Sequence, residues 1–550
     1  MSTPYEHLSR EALIELLQRR DRQTPYGLVW ERRAIAQDQA LNRDFVGLAL
    51  DPALSCGPAP WRNLVIEGDN HDALRHLVST HAGQVKLIYI DPPYNTGRKD
   101  FVYNDSYFDA TNRYRHSTWL EFMYQRLRLA KDLLAEDGVI FVSIDDNELF
   151  NLGLLMNKVF GEGNHIANVI WQKVFSPKNT AVHFSDDHEY VLVYAADRDR
   201  WRPNPMPRTA AQDGAYKSLD NDPRGPWMSS DLSARNYYSA GSYSVTAPSG
   251  KVIAGPPPGR YWTISEDRFA ELDKDNRIWW GKGGNNAPRL KRFLTDVKQG
   301  VVPQTLWTYD AVGHTQDAKK QLNEILPKDR NEDVFSTPKP LQLMDRILRL
   351  ATKPGDLVLD FFAGSGTLAQ ALLQLNQEDG GERRFILVSS TEATETEPDK
   401  NLCRDVCATR VRRAAEGYTS AKGDAVAGLG GGFAYLRTQP IPIHRLEERL
   451  DDGLVWSYLQ MKHHHPLTAR EPGALASVSV WEGQVFLYLP ATTAKMKAAL
   501  QAALALHPHA TVYTWTPAAL AGLVHDNNLR EIPADLTRGF RFGKLGGEHA

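Results

Sequence analysis

Two short stretches of the chain combine residue types that could perform chemistry. The first is Asp91-Pro92-Pro93-Tyr94, followed by Asn95-Thr96-Gly97. Asp91 offers a carboxylate acceptor, Pro92 a backbone carbonyl and Tyr94 a flat ring, and the two prolines stiffen the chain between them. Two acceptors beside one aromatic plate suit a planar amine that must be gripped and stacked. The same string also reads as a stiffened strand exit with a capping aspartate. The second stretch is Asp360-Phe361-Phe362-Ala363-Gly364-Ser365-Gly366-Thr367. Gly364 and Gly366 let the backbone turn tightly and approach a ligand. The stretch lacks the lysine of a phosphate-binding loop, and Ala369 stands where a dinucleotide fingerprint carries its third glycine. Taken alone, it also reads as a plain strand-to-helix turn.

Such chemistry needs elements that bring both stretches to one place. Val85–Ile90 is rich in β-branched and aromatic residues and predicts a strand ending at Asp91. Leu120, Met123, Leu127, Ala130 and Leu134 recur at helical spacing, with Thr118 and Glu121 as a capping box and Gly138 as the stop. Val139–Ile144 reads as the next strand. Strand, helix and strand in this order predict a parallel α/β sheet, whose ligands bind beyond the carboxyl ends of its strands. The rhythm returns with a helix over 337–351, a strand at Leu357–Leu359 before the glycine-rich turn, a helix marked by Leu368, Ala371, Leu372 and Leu375, and a strand at Phe385–Val388.

Between them, 165–335 breaks the rhythm. Nine prolines fall in 201–260, six of the thirteen tryptophans in 201–310, and fifteen Lys+Arg against ten Asp+Glu in 201–300. That local excess of positive charge is hidden in a whole-chain net charge of −3. Ala12, Leu13, Leu16 and Leu17 mark a helical face in 1–60, 421–432 reads as a Gly/Ala-rich linker, and 440–550 reads as a small α/β domain. His463-His464-His465 reads as a solvated loop, and no metal site is expected.

The 550 residues, 42% hydrophobic and 24% charged, exclude disordered, collagen-like and coiled-coil classes, and the charge balance excludes a uniformly basic coat protein. Three cysteines give no disulfide framework, and no signal peptide or span of about 18 apolar residues is read. A cytoplasmic protein without membrane contact is expected.

Together the two stretches resemble the β-class amino-methyltransferases of DNA, and in more detail the modification (Mod) subunits of type III restriction-modification systems. LIYIDPPYNT at Leu87–Thr96, RHSTWLEFMYQRL at Arg115–Leu127, GVIFVSIDDNE at Gly138–Glu148, DPRGPW at Asp222–Trp227 and TPKP at Thr337–Pro340 carry the likeness, with Phe361–Thr367 and Arg384–Val388, across roughly 60–420. The resemblance implies a Rossmann-like methyltransferase fold with circularly permuted motifs. Its parts would be an N-terminal helical arm (1–60), a catalytic half (61–165), an inserted target-recognition domain (166–335), a cofactor-binding half (336–425) and a C-terminal domain (440–550). It implies transfer of a methyl group from S-adenosyl-L-methionine to adenine N6 in double-stranded DNA. Asp91, Pro92, Pro93 and Tyr94 would hold the base. Asp360, Phe361, Phe362, Ala363, Gly364, Ser365, Gly366 and Thr367 would bind the cofactor, with Asp69 toward its adenine, Glu392 toward its ribose, and Lys339 and Pro340 at its methionine end. Ser389-Ser390-Thr391 departs from the family's more apolar lead-in to Glu392. A homodimer and an ATP-dependent restriction subunit are the implied partners. Cytosine N4 as the target, a nicotinamide-dependent Rossmann enzyme and a non-catalytic recognition subunit stay open as alternatives.

Overall fold

Short runs of Val, Ile, Leu and Phe, almost wholly buried, build the central sheet. A strand covered on both faces reads as a continuous apolar run, as these do. The computed structural model describes residues 9–15, 30, 42, 44–97, 102–103, 106–107, 115–208, 210–297, 300–326, 335–394, 397–420, 422–446, 448, 450–532, 534 and 536. Among them the sheet has ten strands: β1 (Phe45–Cys56), β2 (Leu64–Glu67), β3 (Val85–Ile90), β4 (Leu134–Ile144), β5 (His165–Gln172), β6 (His188–Ala195), β7 (Leu306–Trp307), β8 (Leu357–Asp360), β9 (Arg384–Ser389) and β10 (Phe433–Ile441). Their spatial order is β1-β10-β2-β9-β8-β3-β4-β6-β5-β7. The six from β10 to β4 are mutually parallel, whereas β1 and β6 run antiparallel to their neighbours. This is the expected Rossmann-like α/β sheet.

The helices α1 (Asn70–His81), α2 (Arg115–Leu133), α3 (Leu149–Phe160), α4 (Thr315–Ile325), α5 (Leu341–Ala351), α6 (Thr367–Asp379) and α7 (Thr409–Glu416) accompany these strands. The predicted helix after Ser117 is α2, with Leu120, Met123, Leu127 and Ala130 in the core. It gives way to β4 at Leu134, so the last residue of the predicted apolar stripe begins a strand.

Four boundaries differ from the sequence reading. The helical arm expected over 1–60 has described helix only at 10–15, and Phe45–Cys56 is instead an edge strand paired along β10. Leu16 and Leu17, also expected on that helical face, lie outside the described residues. The inserted domain expected over 166–335 contributes β5, β6 and β7 to the central sheet, and its separate compact unit is only Pro205–Pro303. The strand after the expected linker, β10, also belongs to the central sheet. The tail, with α8 (Asp452–Lys462), α9 (Ala494–Leu506) and the four-stranded sheet β11 (Ser477–Trp481), β12 (Gln484–Leu489), β13 (Thr511–Thr514) and β14 (Leu529–Glu531), belongs to the same compact unit as the central sheet. It shares a core with β1 through Phe45, Val46, Leu454 and Tyr458.

Of the histidine triplet, His464 is exposed as a solvated loop would have it, but His463 and His465 are packed. His465 is buried with Nδ1 2.7 Å from Ser479 Oγ, and His463 stacks on Phe486 at 4.7 Å. Burial of the tail sheet against α8 accounts for this, because the triplet follows α8 directly.

The compact unit 205–303 has its own core of Leu232, Val245, Trp262, Phe269, Ile278 and Trp280. Trp227, Trp262 and Trp280 are buried there, so these tryptophans pack a small core. In DPRGPW, buried Asp222 accepts from Arg224 Nη2 at 2.8 Å and pairs with Lys291 at 3.4 Å. The Arg224 hydrogen bond holds its carboxyl well below the usual carboxylate range.

His76 on α1 is fully buried, with Nδ1 2.8 Å from the Val46 carbonyl and its ring edge-on to Tyr458. Burial lowers it to about 4. Its unfolded value is about 6.5, so the unfolded chain takes the proton first and stability is lost as pH falls from 6.5 towards 4. Between pH 6.5 and 4.5 His76 alone should cost the fold about 2 kcal/mol. Urea denaturation at both pH values should show His76→Leu with a smaller loss by that amount; equal losses would contradict the assignment.

Candidate active site

The glycine-rich turn and the Asp91 stretch meet because β8 and β3 are parallel neighbours, pairing Leu357 with Val85 and, after a one-residue register shift, Val358 with Leu87 and Leu359 with Ile88. From β8 the chain continues to β9 on one side, and from β3 to β4 on the other. Connections diverging from two adjacent strands leave a crevice beyond their carboxyl ends, where α/β sheets bind ligands. Asp360 ends β8, and Asp91 follows Ile90 directly.

Several contacts fix the Asp91–Tyr94 turn. Trp119 on α2 donates its indole N–H to the Pro93 carbonyl at 2.7 Å. Asn95, at φ 56°, adopts the left-handed conformation that asparagine tolerates and donates to buried Glu148. His116 Nδ1 and Asn151 Nδ2 each lie 2.7 Å from the same Glu148 carboxylate. The Pro92 carbonyl accepts no hydrogen bond among the described residues.

Four charges interleave at the turn. Lys339 Nζ lies 2.8 Å from each Asp91 oxygen, 2.9 Å from Tyr94 Oη and 3.6 Å from Glu189 Oε2. Glu189, on β6, also accepts from Lys173 at 3.1 Å. The Tyr94 hydroxyl is 2.9 Å from Asp91 Oδ1 and 3.0 Å from Glu189 Oε2, so its single proton serves one carboxylate at a time. Lys339 also faces the rings of Tyr94 and Trp171, at 5.0 and 5.8 Å. Burial pushes the Asp91 carboxyl up against the pull of Lys339. Burial acts to lower Lys339, yet the charges of Asp91 and Glu189 hold it above its ordinary value. The resemblance places Lys339 at a cofactor's methionine end; its ammonium bonds Asp91 instead.

On the other side of the crevice, Asp360 is buried and accepts the Phe362 N–H at 3.0 Å. Burial and the like charge of Asp91 raise its carboxyl well above the carboxylate range. Phe361 is buried, and half-buried Phe362 packs against Phe122 and Phe361. Gly366 has φ 74° and caps α6; a Cβ there would meet Val411 and Cys407 at 3.1–3.2 Å. Ser365 and Thr367 point into the protein, where Arg410 on α7 donates to them at 3.0 and 2.6 Å and to Gln370 at 2.8 Å. Arg410 is fully buried, and burial lowers it to about 10.

Asp69 is the N-cap of α1, accepting from the His71 and Asp72 N–H groups, and its half-exposed carboxylate also pairs with Arg126 at 3.0 Å. Asn70 ties the same region to the turn, donating to the Phe361 carbonyl at 2.8 Å. Glu392, three residues beyond β9, has φ 53° and pairs with Lys400 at 3.1 Å. Pro340 is the N-cap residue of α5.

Sequence reasoning missed Lys173, Glu189, Trp171 and Arg410. The run Val191-Leu192-Val193-Tyr194 was the available signal for Glu189, since an apolar strand beside Val139–Ile144 would have put its flanking residues at the sheet end, whereas Trp171 and Lys173 sit at the end of β5. Arg410 had no signal, because one arginine among four in Arg404–Arg413 looks like a solvated face.

Arg410→Ala strands three buried acceptors and should lower the unfolding free energy by about 2–4 kcal/mol. Amide exchange over Gly364–Gln370 should accelerate; unchanged exchange there would show that Arg410 does not lock the turn.

A family model described as DNA methylase, for N6 and N4 amino-methyltransferases, matches residues 85–395, more than half of the chain. The chain is 37% identical over 356 residues to the type III restriction-modification enzyme StyLTI Mod subunit of Salmonella typhimurium, covering 60% of this chain and 53% of that one. It is 34% identical over 380 residues to the EcoPI Mod subunit of Escherichia phage P1, covering 60% and 58%. It is 32% identical over 342 residues to the type II methyltransferase M.KpnI of Klebsiella pneumoniae, covering 59% and 79%. The chain thus spans little more than half the length of the Mod subunits it matches. With both stretches brought to one crevice inside the matched region, the chain belongs to the N6/N4 DNA methylase family.

Proposed function

We propose that the chain is a site-specific DNA methyltransferase that moves a methyl group from S-adenosyl-L-methionine to adenine N6 in double-stranded DNA. The observation that carries this reading is the meeting of Asp91, the Pro92 carbonyl, which accepts no hydrogen bond among the described residues, and Tyr94 with the glycine-rich turn at one crevice.

The residues on the β8 side fit a cofactor that carries positive charge. Asp360 is a buried carboxylate with no cation in ion-pair reach among the described residues, and its raised pKa is what a cationic ligand would relieve. Half-exposed Asp69 and the ring of Phe362 add a second acceptor and an apolar wall. When bound, S-adenosylmethionine supplies an electrophilic methyl group on sulfur.

The chain's own residues work on the amine. An adenine N6 lone pair is delocalised into the ring and attacks poorly. Asp91 and the Pro92 carbonyl accept its two N–H bonds and favour a tetrahedral nitrogen with a localised lone pair. Tyr94 stacks on the base, which must leave the duplex to reach the crevice. Positioning and fixed dipoles do the work. Aspartate rather than serine ahead of Pro-Pro-Tyr favours adenine over cytosine N4.

In this proposal 205–303 is the module that reads DNA. Arg235, Lys251, Lys274, Lys282 and Arg292 lie outside its ion pairs among the described residues and are free to neutralise phosphates. The names of the matched Mod subunits support a modification role in a type III-like system. A homodimer and an ATP-dependent restriction subunit are the partners that this reading proposes. Cytoplasmic action accords with the absence, among the described residues, of a helix long and apolar enough to cross a membrane.

Unmethylated genomic DNA incubated with the chain and methyl-labelled S-adenosylmethionine, then digested to nucleosides, should yield labelled N6-methyladenine. Label only in N4-methylcytosine would overturn the adenine assignment. Absence of label, or calorimetric binding of NAD in place of S-adenosylmethionine, would overturn the methyltransferase reading.

A further inference from the structure

An incoming amine must compete with the Lys339 ammonium for Asp91 in the arrangement just described, because Oδ1 already accepts from Lys339 and Tyr94 and Oδ2 from Lys339. Two Lys339 N–H groups go to Asp91 and the third points at the Tyr94 hydroxyl, at 2.8, 2.8 and 2.9 Å. The ammonium has no fourth proton, and Glu189 Oε2 at 3.6 Å stands just outside hydrogen-bond reach. We propose that Lys339 is a displaceable gate on Asp91, and that Glu189 is the positioning residue that receives its ammonium when the target amine enters.

The inference rests on the methyl-transfer reading above. A neutral amine brings no charge to compensate a displaced cation. The Lys339 side chain is only 9% exposed, so an ammonium leaving Asp91 must find another carboxylate within the site. Glu189 is the other carboxylate within 4 Å of it among the described residues, and a shift of about 1 Å closes that bond. Glu189 is itself 11% exposed and anchored from its other oxygen by Lys173, so it can take a second cation without moving. The Tyr94 hydroxyl bridges both carboxylates and can turn its proton to whichever lacks the ammonium. The toggle therefore keeps every buried charge paired while Asp91 changes partner. It also makes vacancy of Asp91 conditional on occupancy of the pocket, which disfavours loose binding of other amines.

The test uses full-length Glu189→Gln, Lys339→Met and the double variant on unmethylated genomic DNA. Glu189→Gln keeps the hydrogen-bonding shape but removes the receiving charge, so Lys339 stays on Asp91. The expected result is a loss of at least 10-fold in kcat/KM for DNA, carried mainly by KM, with unchanged calorimetric affinity for S-adenosylmethionine. Adding Lys339→Met should restore kcat/KM to within about 3-fold of Lys339→Met alone. Near wild-type kinetics for Glu189→Gln would overturn the proposal, as would a loss that Lys339→Met does not relieve, the result expected of a purely structural Glu189. A wild-type chain that transfers no methyl group to DNA would instead overturn the underlying methyltransferase reading.

Discussion

The parallel pairing of Val85–Ile90 with Leu357–Asp360 is the constraint on which the site depends. The strands come from positions some 270 residues apart in sequence, yet their carboxyl ends carry the two chemistry-bearing stretches. Each strand continues to a neighbour on its own side, so the crevice at their ends is open without any extra device. Parallel strands need covering on both faces, which is why so much of the chain is apolar core rather than site.

Within that crevice the electrostatics divide in two. On the β3 side, Asp91, Lys339, Glu189 and Lys173 alternate in sign, so two buried charges and two part-buried ones nearly cancel. On the β8 side, Asp360 is a buried carboxylate that accepts the Phe362 N–H, feels the like charge of Asp91 and has no cation in ion-pair reach among the described residues. The first side is prepared for a neutral group that exchanges hydrogen bonds, and the second for a group that brings positive charge. Arg410 serves the second side indirectly. By holding Ser365 and Thr367 inward, it leaves the backbone of the turn, rather than its hydroxyls, at the crevice.

Much of this was legible in the sequence. Strand, helix and strand spacing predicted the sheet, and Asp91–Tyr94 and Asp360–Thr367 marked the two strand ends that meet at the crevice. The boundaries were less legible where secondary structure alternates with loops of similar composition. Phe45–Cys56 is interrupted by Asp51 and Pro52 and was read as part of the helical arm, but it gains its pairing from β10, almost 400 residues away. The strands at 165–195 were assigned to the insert because the prolines and tryptophans that follow blur its start; the central sheet claimed them through β4. Lys173 was illegible for the same reason, since its chemistry exists only once that hairpin is docked. Ser365 and Thr367 show the converse. Their motif is plain, but which way the hydroxyls point depends on one arginine from a later helix.

The central claim is a division of labour across the β3–β8 seam, with Asp91 serving the base and the glycine-rich turn serving the cofactor. Calorimetric titration of Asp91→Ala with S-adenosylmethionine, paired with a methyl-transfer assay on DNA, tests it most directly. The account predicts cofactor affinity within about 3-fold of wild type and transfer reduced below detection, with Glu189 retaining Lys339 so that the fold persists. Loss of cofactor affinity in step with activity, or transfer that survives the substitution, would contradict it.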